Sequence, residues 1–175
     1  MYDYQLRGIN WMVIRRASRP EPILGGILAD DMGLGELPAE KLYPSNDVMR
    51  GCERAKTLIV CPVSVLTSWD SQIERHIEDG KMTTTILHSK YPQRSYNVSS
   101  RSLSDYDVVV TSYEALRNLY QRWLLLILDE AHWIKNRKTR SHRACLQLTA
   151  INRWCLTATP LQNDVDDIQS LLQFL

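Results

Sequence analysis

Six consecutive apolar residues, Trp123 to Leu128, run straight into Asp129-Glu130-Ala131-His132. A strand that is apolar at every position has no face for water, so it belongs inside a parallel sheet covered on both sides. Carboxylates at the mouth of such a strand are costly to bury unless a cation or hydrogen-bond donors meet them. This single junction therefore demands a layered α/β fold with a charge-handling sheet edge. The plainer alternative is a polar strand-to-helix turn in which Asp129 caps the next helix.

Further apolar strands are predicted at Ile23 to Ala29, Thr57 to Cys61, Met82 to Leu87, Asp107 to Thr111 and Trp154 to Thr157. Between them lie helical patterns. Tyr4 to Arg16 carries Leu6, Ile9 and Val13 on one face, and Ser64 fits an N-cap for a helix with Leu66, Trp69, Ile73 and Ile77. Ser141 to Thr149 and Val165 to Leu175 read as the last two helices. The alternation predicts a doubly wound α/β fold, a mostly parallel sheet with helices on both faces. Ligands in such sheets bind outside the C-terminal strand ends, where the polar motifs fall here.

Composition narrows the class without naming a chemistry. A chain of 175 residues suits one domain, and 21 basic against 20 acidic side chains leave a net charge of +1. That balance neither predicts nor excludes nucleic acid, because a neutral protein can carry a locally basic groove. The apolar run at 123–128 is far short of the ~20 residues that span a bilayer. Met1-Tyr2-Asp3-Tyr4-Gln5 shows no basic head before an apolar stretch, so no secretory signal is read and no membrane association is expected. Cys52, Cys61, Cys145 and Cys155 make no C-x-x-C pair and read as free thiols, which points to a reducing compartment. His76, His88, His132 and His142 are dispersed, so no zinc constellation is expected.

Three more segments bear on the reading: Asp30-Asp31-Met32-Gly33-Leu34-Gly35 after a predicted strand, Thr157-Ala158-Thr159-Pro160-Leu161-Gln162-Asn163 after the last one, and Tyr4-Gln5-Leu6-Arg7 before the first. With these in view the chain resembles the first RecA-like lobe of the Swi/Snf family, superfamily-two helicase-like DNA-dependent ATPases. The segments that carry the likeness are YQLRGINWM, GGILADDMGLG, TLIVCPVSVLTSW, DYDVVVTSYE, LILDEAHWIKN and RWCLTATPLQN. They succeed one another in the family's order across nearly the whole chain, most like the helicase-like transcription factor branch.

The resemblance implies a RecA-like P-loop NTPase lobe over 1–175, with ATP and Mg²⁺ as cofactors. Gln5 would read the adenine edge, and Asp31, Met32, Gly33, Leu34 and Gly35 would form the phosphate loop, its glycines letting N–H groups approach the phosphates. In the DEAH box, Asp129 would serve Mg²⁺ through the nucleotide and Glu130 the attacking water. Thr157, Ala158 and Thr159 would couple nucleotide state to DNA grip. Pro62, Thr111, Ser112, Lys135 and Asn136 match segments that face the DNA backbone. Structural alternatives remain for Gln5 as a surface helix residue, Lys135 as a solvated charge and Thr157 as a strand-end hydroxyl bonded to its own backbone. A nuclear protein working on double-stranded DNA or chromatin, in remodelling or DNA repair, is the implied setting.

The chain also departs from the family pattern. Where the P-loop continues with Lys and Ser or Thr, Gly35 is followed by Glu36 and Leu37. A unit charge pair at ~4 Å is worth ~4 kcal/mol at an effective dielectric of ~20, so the reversed sign weighs against phosphate binding. Leu37 has no hydroxyl for Mg²⁺. Residues 36–56, with Pro38 and Pro44 inside, read as an atypical insert replacing the helix that normally packs behind the loop. Lys41 is a candidate substitute cation. No second lobe is read before Leu175, and related systems complete the site with arginines from a partner element. Three expectations result: an ATP-binding lobe impaired in hydrolysis, a non-catalytic pseudo-ATPase that binds DNA or protein, or a gene-model fragment whose Leu171, Leu172 and Phe174 stay uncovered.

Overall fold

A computed structural model describes residues 3–17, 25–29, 57–77, 80–92, 103–116, 119, 122–161 and 165–175. The expected phosphate loop and the stretch of 36–56 lie outside the described residues, as do Gln162 and Asn163. The elements are α1 (Asp3–Ala17), β1 (Gly25–Leu28), β2 (Thr57–Cys61), α2 (Leu66–His76), β3 (Thr84–Leu87), β4 (Val108–Ser112), β5 (Arg122–Leu128), α3 (Arg140–Gln147), β6 (Thr149–Leu156) and α4 (Val165–Phe174). The six strands form one sheet in the order β1-β6-β5-β2-β4-β3, and every pairing is parallel.

Alternation along the strands divides the core between two faces, since successive side chains point oppositely. Ile59, Cys61, Val108, Val110, Leu125 and Ile127 pack with Met12 of α1 and with Leu66, Trp69 and Ile73 of α2. Leu58, Val60, Val109, Leu126 and Leu128 pack on the other side with Cys145 of α3 and with Leu171 and Phe174 of α4. Helices thus cover both faces, which is why β2, β4 and the body of β5 have no exposed position. Among the described residues no helix is long and apolar enough to cross a membrane.

The edge strand β1 is joined to β6 at a very close approach of the two backbones. A Cβ on Gly25 would stand 1.8 Å from the main-chain oxygen of Arg153, so only glycine admits this pairing. Gly26 sits beneath Trp11 and Trp154, whose rings meet edge-on at 5.3 Å and bind α1 to the sheet.

Three local expectations are corrected. Ser64 lies within a 3-10 turn, Val63–Val65, and α2 begins after Val65 with no side-chain cap. β6 begins at Thr149 rather than Trp154, and α3 stops at Gln147. In the early part of β6, polar side chains donate to main-chain carbonyls: Asn152 Nδ2 to that of Leu124, and the Arg153 guanidinium to those of Leu148 and Phe174. Those bonds make a strand out of a sequence that reads as a loop. Finally, Leu171 and Phe174 are fully buried, and only Leu172 of the α4 trio is exposed. Cys61, Cys145 and Cys155 are buried and in no disulfide, and Cys52 lies outside the described residues.

Candidate nucleotide and DNA site

Parallel register brings the ends of four neighbouring strands to one edge. Leu28 of β1 pairs with Leu156 of β6, Cys155 with Leu128 of β5, and Leu128 with Val60 of β2. The ladder continues one step past the strands on both flanks: Asp129 N–H donates to the Val60 carbonyl, and Thr157 N–H to the Leu28 carbonyl. Asp129, Thr157 and Ala29, the residue before the expected phosphate loop, therefore share one edge. The sequence holds Ala29 roughly a hundred residues from Asp129, and the topology removes that distance.

Asp129 is held from several sides. Trp69 Nε1 donates to its Oδ2 at 2.7 Å, and the Glu130 N–H donates to its Oδ1 at 2.9 Å. Its main-chain carbonyl accepts the Tyr113 hydroxyl at 2.8 Å. Burial pushes the Asp129 carboxyl above the usual carboxylate range; the Trp69 and Glu130 N–H bonds pull it back, the charge of Glu130 adds to the rise, and His132 opposes it. An anionic carboxylate raised by burial is one that a nearby cation would stabilise.

Glu130 has φ 50° and ψ 50°, the left-handed region that favours glycine. This conformation costs roughly 1–2 kcal/mol for a residue with a Cβ. It turns the chain sharply off β5, and Glu130 Oε2 meets His132 Nδ1 at 3.1 Å. The 3-10 turn Ala131–Ile134 comes next, and Trp133 stacks in parallel on the buried Tyr113 ring at 5.7 Å.

The segment beyond is fastened to its surroundings. Lys135 Nζ donates to the Thr159 carbonyl at 2.6 Å and lies 3.4 Å from Asp167 Oδ2, with its side chain only 9% exposed. Ser170 Oγ of α4 donates to the Lys135 carbonyl and accepts from Arg137 Nε. Lys135 thereby joins the Asp129-Glu130 segment to Thr157–Thr159. Within that second segment the Thr159 N–H donates to Thr157 Oγ1 at 3.3 Å, Thr157 is buried, Ala158 half-buried and Thr159 exposed.

The remaining expected residues are spread more widely. Gln5 lies in the opening turn of α1. Asp31, Met32, Gly33, Leu34 and Gly35 lie outside the described residues. Pro62, Thr111 and Ser112 stand at the ends of β2 and β4 and are buried. Thr111 Oγ1 donates to the Leu87 carbonyl, and Ser112 Oγ has no hydrogen-bond partner among the described residues. Asn136 is exposed, its Oδ1 accepting from the Lys138 N–H. Among the described residues no group of three or more His, Cys, Asp or Glu side chains converges on a metal position. A lone carboxylate pair suits Mg²⁺, which keeps most of its water and takes its remaining ligands from phosphate.

Sequence reasoning misses Trp69 and Tyr113 as parts of this site, because helical spacing assigns Trp69 to the core alone. It also misses the outer face of α2, where Thr67, Ser68, Ser71, Gln72 and Arg75 line a shallow polar groove. The recurrence of hydroxyls and an arginine opposite the apolar stripe is the available signal.

Comparison with known proteins bears on the family and the fold. The model of the SNF2-related domain matches residues 4–175. The probable global transactivator of Orgyia pseudotsugata multicapsid polyhedrosis virus is 35% identical, the alignment covering all of this chain and 35% of that protein. Transcription termination factor 2 of Drosophila melanogaster is 30% identical over the whole chain and 20% of its own length. DNA repair protein RAD5B of Arabidopsis thaliana is 29% identical, with 94% of this chain and 13% of that protein covered. The chain thus spans about a third or less of the length of these relatives. Among solved structures, the Sulfolobus solfataricus SWI2/SNF2 ATPase core in complex with dsDNA superposes with a TM-score of 0.77 at 31% identity, covering 99% of this chain and 35% of that one. The all-parallel six-stranded sheet is that of the RecA-like Swi2/Snf2 ATPase core, and this chain belongs to the SNF2-related domain family.

Proposed function

We propose that this chain is the ATP-binding lobe of a DNA-dependent ATPase of the chromatin-remodelling and DNA-repair type, impaired in hydrolysis as it stands. The observation that carries the reading is the Asp129-Glu130 pair at the end of β5, tied through Lys135 to Thr157–Thr159 at the end of β6. Asp129 would hold Mg²⁺ through its water shell and the nucleotide. When bound, the ion neutralises charge on phosphate oxygens. Glu130, partly exposed beyond the turn, is the group placed to orient a water and take its proton. Gln5 would meet the adenine, and Asp31 to Gly35 the phosphates. Thr157, Ala158 and Thr159, joined by Lys135 to the segment that follows Asp129 and Glu130, carry the change in nucleotide state toward the DNA.

Glu36 and Leu37 support the impaired part of the reading, because one brings negative charge and the other an apolar side chain to a phosphate position. Double-stranded DNA or chromatin is the proposed partner, with a second RecA-like lobe completing the enzyme and the nucleus as its compartment. The dsDNA-bound ATPase core is the structural relative that supports a DNA partner. On this lobe, Asn136 and the outer face of α2 offer the exposed polar groups such a partner needs.

Titration calorimetry with Mg·ATP tests the proposal. The wild-type chain should bind weakly, and a Glu36→Lys, Leu37→Thr variant at least about tenfold more tightly, as expected for replacing a repulsive contact with an attractive one. Tight binding with turnover by the wild type would overturn the impairment. Absence of binding in both would overturn the nucleotide role. The same two substituted residues favour one second reading, a pseudo-ATPase that keeps only its DNA-facing surface. It requires salt-sensitive DNA binding that is identical with and without ATP.

A further inference from the structure

Trp69 is almost completely buried in α2, yet its indole N–H is spent on a carboxylate rather than on the backbone. The bond to Asp129 Oδ2 spans 60 residues of sequence and connects a helix on one face of the sheet to the end of its most apolar strand. An indole N–H is a donor only and does not ionise in any working range, so the bond has one polarity and one geometry. The ring is packed within the core formed by Leu66, Ile73 and the facing strand residues, which denies it alternative rotamers.

The carboxylate offers about four acceptor sites, two on each oxygen. Trp69 takes one on Oδ2 and the Glu130 N–H takes one on Oδ1, so each oxygen keeps a further site. The two donors fix the plane of the carboxylate without consuming it. Partners of this kind, behind a ligand rather than on the ion, set the orientation of metal-binding carboxylates and commonly change affinity roughly 10–100-fold when removed.

We infer that Trp69 is a positioning residue: its indole N–H orients the Asp129 carboxylate for a hydrated divalent cation, making α2 part of the site. The inference deepens the nucleotide-binding reading and rests on it. Trp69 touches neither nucleotide nor water in this role and acts through Asp129 alone.

The test compares wild type, Trp69→Phe and Asp129→Asn, each also in the Glu36→Lys, Leu37→Thr background. The indole N–H resonance of Trp69, assigned by its loss in Trp69→Phe, should lie downfield of the other indoles and move upfield in Asp129→Asn. A resonance indifferent to Asp129→Asn overturns the inference, whatever the nucleotide does. In the same samples, ATP affinity is measured with Mg²⁺ and with EDTA. Trp69→Phe should lose roughly 10–100-fold of the Mg²⁺-dependent affinity and keep the metal-free affinity. Equal loss in both conditions would show a merely structural role and overturn the inference, as would no loss in either. Should neither background bind Mg·ATP, the nucleotide reading falls, and the indole resonance alone decides whether Trp69 orients Asp129.

Discussion

The hydroxyl of Tyr113 donates to the main-chain carbonyl of Asp129 at 2.8 Å, from a ring that is itself buried beneath Trp133. Burial, reinforced by the neighbouring thiols and the Asp129 carboxylate, holds the phenol protonated well above its ordinary range, so the donor is permanent. Tyr113→Phe keeps the stack and strands the carbonyl. The expected cost is about 1–2 kcal/mol in urea unfolding. An unchanged midpoint would show that the carbonyl finds another donor.

Glu130 occupies a backbone conformation that suits glycine. Glu130→Gly should therefore gain about 1 kcal/mol of stability, the relief of strain being partly offset by the entropy of glycine in the unfolded chain. Glu130→Gln keeps the strain and removes the charge, so it separates the two contributions. A destabilised Glu130→Gly would mean that the contact with His132 outweighs the strain.

Lys135 is the bridge between the two strand-end segments, with its ammonium held at the Thr159 carbonyl and Asp167. Lys135→Ala should cost about 2 kcal/mol, the range for a largely shielded charge-assisted hydrogen bond. Asn136→Ala, on the exposed neighbour, should cost distinctly less. Thermal unfolding of the pair measures the difference directly.

At Gly25 the test is steric. Gly25→Ala puts a methyl group against the Arg153 main chain, where nothing flexible can yield. A loss of about 3 kcal/mol or more is expected, and β1 should leave β6, which hydrogen exchange at Thr157 would report.

Burial raises the Cys155 thiol from 9.0 to about 12, and Cys145 moves in the same direction. The folded chain therefore keeps a proton that the unfolded thiol releases, so this contribution is complete below pH 9 and is lost as pH rises toward about 12. Stability should fall across that window by up to ~1.4 kcal/mol per pH unit for each such thiol. Cys155→Ala should flatten the slope, and at pH 8 both thiols should react with a disulfide reagent only as fast as the chain unfolds.

The strands whose side chains are buried on both faces are the legible part of the sequence, because Thr57 to Cys61 and Trp123 to Leu128 carry their environment in every residue. β6 reads short because Asn152 and Arg153 look solvated and are in fact bonded to main-chain carbonyls. At the site, Asp129 and Glu130 are legible from their place after an apolar run. Trp69 is not, since helical spacing reveals that a tryptophan faces the core but not where its one N–H points. The family resemblance sets Lys135 toward the DNA backbone and its residue type alone suggests a solvated charge; its tie to Thr159 and Asp167 depends on the adjacency of β5 and β6, which spacing along the chain does not encode.

Two bonds converge on the Ser170 hydroxyl, one from the guanidinium of Arg137 and one to the carbonyl of Lys135. With the ammonium of Lys135 held at Asp167 of the same helix, α4 and the segment after Asp129-Glu130 are tied together by side-chain contacts at more than one point. A helix that contributes no strand-end residue thus reaches the Asp129-Glu130 segment through Ser170 and Asp167.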